Sequence, residues 1–62
     1  MSGSGDVALL REKEADYRLR EKDALALATS ALTAEHRTAM EQVANTWRLL
    51  AEIMAREIAG IE

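Results

Sequence analysis

Between Val7 and Ala59 the chain contains neither proline nor glycine. Those residues most often end a helix: proline lacks an amide N–H and clashes with the preceding turn, and glycine leaves the backbone loose. Their absence leaves few places where the chain can reverse. The interval is filled mostly by Ala, Glu, Arg and Leu, side chains that lose little freedom in a helix. One Tyr, one Trp and no Phe are too few aromatics for a sandwich or barrel, which also needs turn signals that are missing. An all-α chain is expected.

One helix running the whole interval competes with two helices joined by a tight turn, and with a three-helix arrangement broken near Asp23. The best turn is Ser30-Ala31-Leu32-Thr33, where Thr29, Ser30 and Thr33 cluster; their hydroxyls prefer caps and turns to helix interiors. Thr33 is the expected N-cap of the second helix, with Glu35 in the first turn, where the helix dipole favours negative charge. No glycine follows the first helix, so its C-cap is not evident. The expected organisation is a flexible leader over 1–5, a helix over about 6–30, a turn over about 30–33 and a helix over about 34–60. Met-Ser-Gly-Ser-Gly at the start has linker composition, and Asp6, or less favourably Ser4, is the expected first N-cap. A turn at this place leaves two arms of nearly equal length, which cover each other end to end as an antiparallel hairpin.

Sixty-two residues make at most one domain. A single core of this size supplies only about 3–5 kcal/mol, and small domains usually add disulfides, metals or partners. The chain has no Cys and one His, which excludes disulfides and any thiolate or multi-His metal site within one chain. Association with another chain remains.

The second arm carries the strongest pattern. Met40, Val43, Trp47, Leu50, Met54 and Ile61 step by three, four, three, four and seven, an a/d heptad seam of coiled-coil type. Glu57 interrupts it and Ile58 restores the apolar face. Ala39, Ala44, Ala51 and Ile53 widen the stripe, so that it wants two or more neighbouring helices. On the first arm, ten of the thirteen residues from Arg11 to Asp23 are charged, whereas none is from Ala24 to Ala34. Leu10, Tyr17, Ala24 and Ala31 recur every seven residues, with Leu27 three after Ala24 and with Lys13 and Arg20 at the intervening positions. Long basic side chains lay their stems on apolar surface while the charge reaches water. Folding about the turn opposes residues whose numbers sum to about 64: Ala24 with Met40, Tyr17 with Trp47, and Leu10 with Met54. Ala24, Ala26, Ala28 and Ala31 suggest a close helix crossing there.

Chemistry finds little support. His36 is the only imidazole, and no nucleophile or acid stands at a spacing that would make it a base. Turn and cap roles explain Thr29, Ser30 and Thr33 better than nucleophilic ones. Glu14 with Arg18, Asp16 with Arg20 and Glu52 with Arg56 are acid-first i,i+4 pairs of a solvated helix face. The five bases between Arg11 and Asp23 are matched by five acids, and the whole chain carries −3; little counterion-release affinity for nucleic acid is available. No stretch approaches the roughly 18 apolar residues of a membrane span, and no basic start followed by an apolar block marks a signal peptide. No enzyme, cofactor, metal, nucleic-acid, membrane or small-molecule role is expected.

The Met-Ser-Gly-Ser-Gly leader, the absence of Pro, Cys and Phe, and the even helical arms together resemble a computationally designed helical homo-oligomer. The resemblance covers the whole chain and implies that assembly is the intended property, with no natural function. Two features depart from the idealised pattern of such proteins. The turn lacks Gly, Pro or Asp, and Asn45 and Thr46 lie inside a helix. A natural helical fragment carrying a tag is the alternative.

The resulting expectation is a hairpin that pairs with itself, as a C2 dimer first of all, into a four-helix or larger bundle. Its core and interface residues would be Leu10, Tyr17, Leu27, Met40, Val43, Trp47, Leu50, Ile53, Met54 and Ile58. The competing class is a binding module that offers an amphipathic helix to a different protein.

Overall fold

The computed structural model describes residues 3–61. Two helices, α1 (Gly3–Thr29) and α2 (Ala34–Ile61), pack against each other as an antiparallel hairpin. The backbone measures 50 × 14 × 10 Å along its principal axes, a flat rod two helices wide and one helix thick. Neither the single long helix nor the break near Asp23 occurs.

The turn is closed by side-chain oxygens. At the end of α1 the Ser30 amide donates to the Ala26 carbonyl at 3.1 Å and the Ala31 amide to the Ala28 carbonyl at 3.2 Å. The Thr29 hydroxyl donates to the Leu25 carbonyl at 3.0 Å, and the Ser30 hydroxyl lies 3.2 and 3.3 Å from the Ala26 and Leu27 carbonyls. These bonds satisfy acceptors that a helix end leaves open. No described non-glycine residue adopts a positive φ, so this reversal needs no glycine at the C-cap. At the start of α2 the Thr33 hydroxyl accepts from the His36 amide at 3.1 Å, and the Thr33 carbonyl accepts from the Arg37 amide at 3.1 Å. Thr33 is therefore the N-cap, and Glu35 sits in the first turn.

The start of α1 differs from the expectation. The helix begins at Gly3, so residues 3–5 of the expected leader are helical. Asp6 lies inside the first turn and is not the cap. Extending a formed helix adds one hydrogen bond per residue fixed, far easier than nucleating one. The negative charge of Asp6 is still favoured so close to the N-terminus. The expected caps are thus displaced: Ser4 lies within the helix as well.

Tyr17 and Trp47 stack with ring centroids 5.8 Å apart and planes inclined by 23°, which fixes the expected register, since their numbers sum to 64. The seam itself is rotated from the one read in the sequence. Ala24, Ala28, Ala44, Ala51 and Ile58 are the buried hydrophobic residues. On α1 the covered positions run Val7, Leu10, Glu14, Tyr17, Glu21, Ala24 and Ala28; on α2 they include Met40, Ala44, Trp47, Ala51, Met54 and Ile58. Each set alternates steps of three and four, but Ala28 takes the place expected for Leu27. Ala44 and Ala51 take the places expected for Val43 and Leu50, and Ile58 is buried as expected, beside the interruption at Glu57. Small side chains let two backbones approach closely, and that approach turns the larger residues outward. At the Ala-rich end of α1, read as a close crossing, Ala24 and Ala28 are buried, at 5% and 4% exposure.

Candidate self-association face

The alanine seam decides which apolar residues the hairpin covers and which it leaves open. Of the ten residues expected in the core and interface, only Ile58 is buried within the chain. Leu10, Tyr17, Met40, Trp47, Leu50 and Met54 are half-buried. Leu27, Val43 and Ile53 are exposed, at 54%, 40% and 41%. Leu27, Val43 and Ile53 therefore lie outside the hairpin's own core. One partner arm, drawn close by alanines, reaches only one flank of α2.

Five of the nine exposed large hydrophobics among the described residues, Leu9, Leu27, Val43, Ile53 and Ile61, lie on one side of the hairpin, while Leu19, Leu25, Leu32 and Leu49 lie elsewhere. On a helix with 3.6 residues per turn, Ala39, Val43, Leu50, Ile53 and Ile61 share the flank of α2 turned from the seam residues Ala44, Ala51 and Ile58. Among these, Ala39 and Ile61 are exposed as Val43 and Ile53 are. Because both helices are right-handed and run antiparallel, this flank opens on the same side as the α1 flank carrying Leu9, Lys13, Asp16, Arg20 and Leu27. Leu9, at 53% exposed, adds to the open apolar surface. The opposite side of the hairpin is charged, with Arg18 reaching Glu14 at 3.7 Å and Glu21 at 3.8 Å. Glu14 and Glu21 occupy seam positions that the sequence reading missed. Their signal was the same heptad that marks Leu10 and Tyr17, taken with the four-residue step first.

Arg20 marks the middle of the apolar side. Its guanidinium lies 5.1 Å from the Trp47 ring centroid, and its Nε donates to the Asp16 carboxylate at 2.8 Å. This hydrogen bond and the carboxylate charge hold Arg20 more firmly protonated than a free arginine. The expected laying of a basic stem over apolar surface is realised here. Two of the three i,i+4 pairs form; Glu52 and Arg56 are not paired among the described residues. Asn45 and Thr46, unusual inside a helix, bond locally: Asn45 accepts from Arg48, and Thr46 donates to the Gln42 carbonyl at 3.1 Å. Among the described residues no buried side-chain polar atom lacks a hydrogen-bond partner, so the Trp47 indole N–H is not stranded in the seam.

The concave places hold no convergent chemistry. One hollow of about 450 Å³ at the turn is lined by Leu27, Ser30, Ala31, Leu32, Thr33 and His36. Another of about 380 Å³ lies against the outer surface of α2 at Ala34, Glu35, Thr38, Ala39 and Gln42. His36 is exposed and contributes its backbone amide to the Thr33 cap. No group of three or more His, Cys, Asp or Glu that could hold a metal occurs among the described residues, and no described helix is long and apolar enough to cross a membrane.

No known protein family, curated protein or solved structure matches this chain.

Proposed function

We propose that the chain is a self-assembling helical homo-oligomer of the designed type, two hairpins pairing as a C2 dimer into a four-helix bundle, with no catalytic role. One observation carries this reading: on the apolar flank of α2, Val43 and Ile53 lie exposed and Leu50 between them only half-buried, along a face that α1 does not cover. The area supports it. A globular monomer of 6.8 kDa exposes about 3,950 Å², whereas the hairpin exposes 4452 Å². Two faces of 50 × 14 Å laid together would remove on the order of 1,400 Å² from water, within the range of specific interfaces.

Size-exclusion chromatography with light scattering tests the proposal across a range of concentrations. A mass of twice 6.8 kDa at micromolar concentration is expected. A helical monomer that melts cooperatively would refute it and leave the heterologous binding module as the reading to pursue.

A further inference from the structure

We infer that the second copy docks antiparallel, α2 against α2, on a twofold axis at Leu50, with Glu57 of each chain paired to Arg20 of the partner subunit. The inference rests on the self-association reading and goes on to say how the two copies meet.

Glu57 is the starting observation. It lies in the open flank of α2, among Val43, Leu50, Ile53 and Ile61, and it has no ion-pair or hydrogen-bond partner among the described residues. A lone carboxylate in an apolar stripe weakens any dry contact unless the docking partner supplies a cation. Two cations lie on this side, Lys13 and Arg20. In a dimer centred at Leu50 the partner's Lys13 would stand about 12 Å along the axis from Glu57, so the cation within reach is Arg20, which commits only part of its donors. Its Nε is held by Asp16, while a guanidinium carries five N–H donors in all, so its terminal nitrogens remain available.

Within one chain the two cannot meet. Residues at the same height have numbers summing to about 64, as Tyr17 and Trp47 do. Arg20 is therefore level with Ala44, thirteen residues from Glu57, or about 20 Å along the axis. A twofold axis at Leu50, perpendicular to α2, changes this. It pairs positions on the two α2 helices whose numbers sum to 100. Glu57 then lies level with Val43 of the partner subunit, within one residue of the height of the partner's Arg20.

The same axis is picked out independently by the stripe. Ala39 and Ile61 are equidistant from Leu50, and so are Val43 and Glu57, so the apolar flank is centred there. The other twofold, parallel to the helices, would set α2 against the α1 flank of the partner subunit. Leu50 would then sit at the height of Glu14, between Lys13 and Asp16, with apolar residues laid on charged ones. Only the α2-to-α2 arrangement places apolar flank on apolar flank and brings Glu57 to a cation.

Single cysteines test the geometry cleanly, because the chain has none. With a short bismaleimide, Leu50→Cys should crosslink to a covalent dimer in high yield. Ala39→Cys should not, because its two copies would stand about 33 Å apart along the axis. Glu57→Lys and Arg20→Glu should each weaken the dimer roughly five- to tenfold, and the double variant should recover most of that loss, as close interfacial charge pairs do. A dimer in which Ala39→Cys crosslinks as well as Leu50→Cys would overturn this inference alone. So would charge variants whose effects simply add. A monomeric parent protein would overturn the self-association reading with it.

Discussion

Ala51 is fully covered, at 0% exposure, where α2 meets α1, and replacing it with leucine is the sharpest test of the alanine seam. Pattern reasoning expects the larger side chain to help. Three added carbons, buried at about 0.8 kcal/mol each, would contribute about 2.4 kcal/mol if room existed. There is no room: Ala51 lies on the seam at about the height of Glu14, and none of the seam alanines Ala24, Ala28, Ala44 and Ala51 exceeds 5% exposure. A leucine must push the helices apart, and that separation loosens the whole row together. Overpacking of this kind costs about 1–3 kcal/mol net. For a domain of this size the melting temperature should fall by about 5–20 °C. Circular dichroism melts of Ala51→Leu beside Ala26→Leu provide the assay, since Ala26 is exposed on the outer side of α1 and should change little. An Ala51→Leu protein that melts at or above the parent temperature would show that the helices are not held at alanine distance.

Three further outcomes follow from the same contacts. Thr33→Ala should cost about 1 kcal/mol in urea or thermal unfolding through loss of the N-cap, with Thr33→Asn retaining most of it. Trp47→Ala removes the ring stacked on Tyr17 and should lower stability by at least about 1 kcal/mol, whereas an unchanged melt would mean the stack contributes nothing. Arg18→Ala, on the charged side, should stay within about 0.5 kcal/mol of the parent, because its ion pairs with the half-buried Glu14 and Glu21 are long and its own side chain reaches solvent.

The sequence made the hairpin legible because it left one good place to turn. The hydroxyl cluster at Thr29, Ser30 and Thr33 stood between two uninterrupted helical arms of equal length, and equal arms fixed the register that joins Tyr17 to Trp47. The rotation of the seam was not legible. Heptad counting ranks positions by hydrophobic bulk, so it chose Val43, Leu50 and Leu27. The chain instead packs by closeness, and Ala44, Ala51 and Ala28 win because small side chains permit the shortest separation. Glu14 and Glu21 were invisible for a related reason. A charged residue at a seam position looks like a break in the pattern, yet each lies with its carboxylate at the edge, within reach of Arg18. The surplus of apolar surface on α2 could be read from the stripe's width alone, and its direction only from knowing which flank α1 takes.

The central claim is that the open flank of α2 drives association while the alanine seam holds the hairpin. Sedimentation equilibrium of Val43→Glu/Ile53→Glu tests it most directly, because both side chains are exposed in the single chain and their replacement spares the seam. A helical species of 6.8 kDa, where the parent sediments at twice that mass, is the predicted result. A variant that keeps the parent's mass would contradict the claim.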